Sequence, residues 1–137
     1  MSVRIEVQYG GELHTTARHG PSGATLETDA PKDNEGRGEA FSPTDLLATA
    51  LGTCMLTVMG ILARRKGWEM KGARVTVDKH MVADPVRRIG RLAVHFEMPP
   101  GIPESARKPL ERAAHTCPVH QSLHPEVQLE ATFTWPV

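Results

Sequence analysis

Residues 42–67 read SPTDLLATALGTCMLTVMGILARRKG, and this stretch decides the fold. Ser42 is a good N-cap, Pro43 fits the first helical position, and Asp45 puts a carboxylate in the first turn, where the helix dipole favours it. Arg64, Arg65 and Lys66 complement the dipole at the other end, and Gly67 can supply a left-handed cap. The pattern predicts one long helix over 43–66. Residues 46–63 carry no charge over 18 positions, the lower edge of what a membrane span needs. Thr49, Thr53 and Thr57 at a spacing of four, with Gly52 and Gly60, give this helix a small, hydroxyl-bearing stripe, and no aromatic belt flanks it. We read it as a central helix buried inside a soluble protein.

Strands surround the helix. In 3–9, Val3, Ile5, Val7 and Tyr9 alternate with Arg4, Glu6 and Gln8, the mark of a half-buried strand. Turns at Gly10-Gly11 and at 20–23 (GPSG) set off further strands over 13–19 and 24–28. Residues 29–41 (DAPKDNEGRGEAF) are too irregular for an element and form a loop of the length that often carries function. Beyond the helix, 68–82 and 89–98 read as paired strands around the Asp84-Pro85 turn. A second helix over 103–114 is weakened by Pro109, which predicts a late start or a kink. Cys117-Pro118 opens a short helix through Leu123, and 127–135 alternates as a last strand. The order β-β-β-α-β-β-α-(α)-β, with short turns between strand neighbours, predicts an α+β fold with a mainly antiparallel sheet, in a single domain spanning 1–137.

Composition narrows the function. The 137 residues hold 16 Lys+Arg against 16 Asp+Glu. A zero balance with no basic run speaks against nucleic-acid and anionic-membrane partners. Aromatics make up 4%, so the core must be aliphatic. Two cysteines, Cys54 and Cys117, are too few for a disulfide scaffold, and the N-terminus has no apolar leader segment. The expected compartment is the reducing cytoplasm, where a cysteine pair is more often reactive than structural.

Read locally, Cys54 is a mid-helix residue in apolar surroundings, whereas Cys117 stands at a helix N-cap, where unpaired N–H groups would stabilise a thiolate. Local electrostatics therefore makes Cys117 the lower-pKa thiol. His115, Cys117, His120 and His124 are all metal-ligand types, but Pro118 and Pro125 break their segment and no second cysteine pair exists, so no metal and no cofactor are expected. Asp45 precedes Cys54 by nine residues, ~13.5 Å of rise and the opposite helix face. Its expected role is structural.

At 41–54 (FSPTDLLATALGTC) and 114–123 (AHTCPVHQSL), with 62 residues between the cysteines, the sequence resembles the OsmC/Ohr family of osmotically inducible and organic-hydroperoxide-resistance proteins. The resemblance spans the whole element order. It implies an intertwined homodimer with the central helices at its core and the active site at the subunit interface. It also implies thiol-dependent reduction of organic hydroperoxides in stress defence. Cys54 then matches the peroxidatic cysteine, which becomes a sulfenic acid, and Cys117 the resolving cysteine, which closes a redox-active disulfide. A dithiol reductant, lipoyl-type by family, resets the pair. The family ranking thus reverses the local one. Two positions depart from the hydroperoxide-reductase branch. Its first-turn Glu, ten residues before the peroxidatic cysteine, is Thr44 here, with the acid one residue later at Asp45. Its thiolate-stabilising Arg on the N-terminal strands falls at His14, with Arg18 four residues on, on the same strand face, as the natural substitute. The catalytic candidates are therefore Cys54, Cys117, Arg18, His14 and Asp45. Two other readings compete: a non-catalytic module holding a small apolar ligand at the dimer interface, and a His/Cys metal-binding protein.

Overall fold

The computed structural model describes residues 1–136, which divide into two compact units, Met1–Leu47 and the chain from Ala48 onward.

In the first unit, β1 (Ile5–Gly11), β2 (His14–His19) and β3 (Thr25–Asp29) form an antiparallel sheet in that order. The β1–β2 turn lies two residues later than the Gly10-Gly11 pair suggests. Gly11, Glu12 and Leu13 take positive φ values of 87°, 55° and 59°, and the Tyr9 hydroxyl accepts the Leu13 N–H at 3.2 Å. Two successive left-handed residues match the right-handed twist of a tight hairpin. Strand alternation is as expected, but burial is not. Ile5, Val7 and Tyr9 share a face with Ala17 and Leu26 across the register, and that face is exposed, Val7 and Tyr9 at 63%. The 30–41 loop folds back on the sheet: Asp29 N–H donates to the Phe41 carbonyl at 3.1 Å. Residue 36 must be glycine, because a Cβ there would collide with the Ala30 carbonyl.

α1 (Pro43–Lys66) carries the chain into the second unit. There β4 (Arg74–Val82), β5 (Arg88–Glu97) and β6 (Gln128–Thr134) form one sheet with β5 in the middle. β4 and β5 pair antiparallel. β6 runs parallel to β5, because the intervening crossover contains a 3-10 turn at Glu104–Ala106, α2 (Arg107–Ala114) and α3 (Pro118–Gln121). The late start expected from Pro109 is this 3-10 turn. It leaves Pro109 in the first turn of α2, where its missing N–H has no partner to lose.

The alternation makes this sheet two-faced. Val75 and Val77 of β4, Leu92, Val94 and Phe96 of β5, and Leu129, Ala131 and Phe133 of β6 lie in one layer by register. Phe96 and Phe133 stack at 4.6 Å between centroids. The buried core joins Leu92, Val94 and Phe96 to Leu51, Met55, Met59 and Ala63 of α1 and to Leu110 and Ala114 of α2. Those α1 positions recur at four-residue steps, and Ala48, also buried, adds a three-residue step, so that they share one face of a 3.6-residue helix. Gly52 lets α1 approach β4: a Cβ there would stand 2.7 Å from Val77 Cγ2. The helix is buried along that face only. Leu47 and Ile61 remain exposed, and a third of its most apolar window is buried, although its length and composition would suffice to cross a membrane.

Candidate active site

The start of α1 is built as its sequence predicts. The Asp45 N–H donates to Ser42 Oγ at 3.1 Å, and the Ser42 N–H donates to Asp45 Oδ2 at 2.9 Å, a reciprocal cap. The far end closes with Gly67 at φ 76° and the Trp68 N–H on the Ala63 carbonyl. Asp45 is thus engaged in capping its own helix, the structural role expected of it.

Three turns in, Cys54 is half-exposed. On a regular helix it shares a flank with Val58 and Ile61 at i+4 and i+7, beside the buried face, and it packs against the core. Cys117 comes from the crossover. It caps α3, its sulfur accepting the His120 N–H at 3.3 Å, and it is fully buried in the apolar core. The placement of α2, which delivers it, is fixed from the C-terminal side: Trp135 Nε1–H donates to Glu111 at 3.0 Å, and the Arg107 guanidinium lies 5.5 Å over the Trp135 ring.

Cys54 and Cys117 are neighbours, near enough for the Cys54 sulfur to act on the Cys117 thiol, and both are free cysteines. Burial pushes the Cys117 thiol above its ordinary value, the Cys54 sulfur beside it pushes it further, and the His120 N–H only partly opposes them. This runs against the local reading that the N-cap would stabilise a Cys117 thiolate. The N-cap of a four-residue helix offers little, and removal from water outweighs it. Cys117 holds its proton, and Cys54 is the thiol with access to solvent.

The remaining candidates lie in the first unit. His14 stands directly opposite Asp29 in the β2–β3 register. Its Nδ1 is 2.6 Å from Asp29 Oδ1 and its Nε2 is 3.1 Å from Glu27 Oε1. Ionised carboxylates only accept, so both ring nitrogens carry hydrogens and the ring is a cation. The bond to Asp29, then that to Glu27, raises the His14 pKa above its ordinary value, and the His14 bond in turn lowers that of Asp29. The other Asp29 oxygen accepts the Glu39 N–H at 3.1 Å and ties down the loop. These groups line a cavity of about 320 Å³ with Arg37 and Glu12. Asp29 and Glu27 were not among the expected residues. The signal for them was present, since a strand returning through the 20–23 turn brings residue 29 opposite 14. Arg18, four residues along β2, is exposed and pairs with no acid among the described residues. Among those residues no three His, Cys, Asp or Glu side chains are grouped to hold a metal. His120 Nδ1 faces the His115 carbonyl instead, at 3.2 Å.

The family model for OsmC-like protein matches residues 36–132, including both cysteines. The chain belongs to the OsmC-like family. Its fold agrees throughout. A structure from Psychrobacter arcticus 273-4, described provisionally as an osmotic stress induced and detoxification response protein, superposes with a TM-score of 0.90 at 42% identity, covering 95% of this OsmC-like chain and 94% of that one. The organic hydroperoxide resistance protein OsmC of Legionella pneumophila gives 0.79 at 17% identity over 98% of each chain. The OsmC like protein of Mycoplasma pneumoniae gives 0.79 at 18% over 98% and 96%. At those two identities the likeness is one of fold. No protein with a curated description matches the chain.

Proposed function

We propose that this OsmC-like protein is a two-cysteine thiol peroxidase that reduces organic hydroperoxides. The observation that carries the reading is a half-exposed Cys54 neighbouring a buried Cys117 whose thiol is raised above its ordinary value. The Cys54 thiolate attacks the peroxide O–O bond, keeps one oxygen as a sulfenic acid and releases the other as an alcohol. Cys117 then displaces that oxygen and closes a disulfide, which a dithiol reopens by exchange. The apolar flank of α1 supplies surroundings suited to an organic substrate. Of the β2 cations, His14 is committed to two carboxylates, whereas Arg18 pairs with no acid among the described residues. We also propose a cytoplasmic homodimer. The apolar face of β1 and the exposed Leu47 and Ile61 of α1 are surface that a second copy would remove from water.

Stoichiometric cumene hydroperoxide should yield a Cys54–Cys117 bridge in non-reducing peptide mass spectrometry. Cys54→Ser should be inactive, and Cys117→Ser should accumulate a dimedone-reactive Cys54. Two untouched thiols would remove the peroxidase reading and leave the module that binds a small apolar ligand.

A further inference from the structure

The chain leaves α1 through residues 67–72, GWEMKG. Gly67 and Gly72 take positive φ values of 76° and 96°, which turn the backbone at both ends of this short strap. The Ala73 N–H closes the second turn on the Met70 carbonyl at 3.0 Å. Between the turns the side chains alternate. Trp68 and Met70 are partly buried against the core, while Glu69 and Lys71 are exposed. The strap and the last turns of α1 frame a cavity of about 420 Å³, with Gly60, Ala63 and Arg64 on the helix side and Trp68, Met70 and Lys71 on the strap side. That volume falls in the roughly 300–1,000 Å³ range of small-molecule sites.

Its walls combine an apolar body with unpaired donors. Trp68 brings a flat π surface, Met70 a thioether and Ala63 a methyl group. Gly60 keeps the helix side open. Nothing lies within 4 Å of a Cβ built there, in a helix interior where glycine costs about 1 kcal/mol against alanine. The Trp135 indole N–H donates to Glu111, but that of Trp68 meets no acceptor among the described residues, and Arg64 and Lys71 pair with no acid among them. Glu69 is the acid at the cavity, and its Oε1 already accepts the Lys71 backbone N–H at 2.8 Å. Two cations and one carboxylate leave these walls a net positive charge. The negative end of the α1 dipole, which would oppose an anion, is blunted here. The Ala63 and Arg64 carbonyls accept the Trp68 and Gly67 N–H groups at 2.8 and 3.3 Å. At 100° per residue Gly60 lies about 120° around α1 from Cys54, and the two flank the buried face on opposite sides.

We propose that this cavity binds an aromatic carboxylate, with its ring against Trp68 and Met70 and its charge met by Arg64 and Lys71. The site is separate from the cysteine pair and stands whether or not the protein is a peroxidase.

Isothermal titration calorimetry of the wild-type protein with 2-naphthoate tests this. One probe should bind per chain, and the neutral 2-naphthalenemethanol should bind roughly tenfold more weakly, because it gains from neither cation. Arg64→Ser and Lys71→Ser should each weaken 2-naphthoate roughly two- to fivefold, and the effect should shrink at high salt. Gly60→Leu, which fills the open space, should abolish binding. If Gly60→Leu does not fold, as read by a thermal melt, the two serine variants decide. The site is overturned by a Kd weaker than about 1 mM, by equal affinity for the neutral alcohol, or by wild-type affinity in the folded variants. One probe per two chains also overturns it, since the probe would then lie between copies of the chain.

Discussion

Gly52 and Gly60 offer a direct measurement of how tightly α1 is seated. Both lie in the interior of the same helix, so Ala at either gains the same ~1 kcal/mol of helix propensity. They differ in what a methyl group would meet. At Gly60 nothing lies within 4 Å of the added Cβ, whereas at Gly52 Val77 Cγ2 stands at 2.7 Å and Val75 Cγ1 at 3.7 Å. Val77 is β-branched and sits on a paired strand, so it has little freedom to rotate away. Overpacking of this kind costs about 1–3 kcal/mol. Gly60→Ala should therefore stabilise by about 1 kcal/mol, and Gly52→Ala should be neutral or destabilise by up to about 2 kcal/mol. The difference between them isolates the clash. Val77→Ala combined with Gly52→Ala should be less harmful than the sum of the two, with a coupling of roughly 0.5–3 kcal/mol. Urea unfolding at one fixed protein concentration reads all four variants, since association would make stability concentration-dependent. Equal midpoints for Gly52→Ala and Gly60→Ala would refute the packing argument.

The His14–Asp29–Glu27 cluster predicts a pH window. His14 is raised above 6.5, so its contribution is complete below that value and lost as pH rises through the raised one. Asp29 is lowered below 3.8, so its contribution is complete above that value and lost as pH falls through the lowered one. The stability difference between wild type and His14→Gln should thus be largest between 3.8 and 6.5 and shrink on the alkaline side. A difference independent of pH in thermal melts would show that the cluster is not ionised as described. Ser42→Ala removes the buried oxygen that accepts the Asp45 N–H. It should cost about 1 kcal/mol and leave Cys54 oxidation by hydroperoxide intact. Loss of that oxidation in a folded variant would mean that the cap does more than hold the helix.

Much of the architecture was legible because local rules governed it. Ser42, Pro43 and Asp45 mark one end of α1 and Gly67 the other. Alternation marks the strands, and Pro109 marks the late start of α2. The two cysteine segments carried the family. What failed to show was environment. Cys117 does sit at an N-cap, but the cap argument omits the apolar core to which it belongs, and desolvation there raises its pKa. His14 reads only as the position of the family's arginine, because its carboxylate partners arrive through a hairpin register, from residues 13 and 15 positions away in the chain.

By itself, then, the sequence determined where helices and strands begin and end, which faces are apolar, and that two thiols are available. Those properties follow from neighbouring residues and from periodicity. Only the tertiary structure decided that Cys54 neighbours Cys117, that burial raises the Cys117 thiol, and that Asp29 and Glu27 raise the His14 pKa. Each of these depends on distance and water exclusion between segments far apart along the chain.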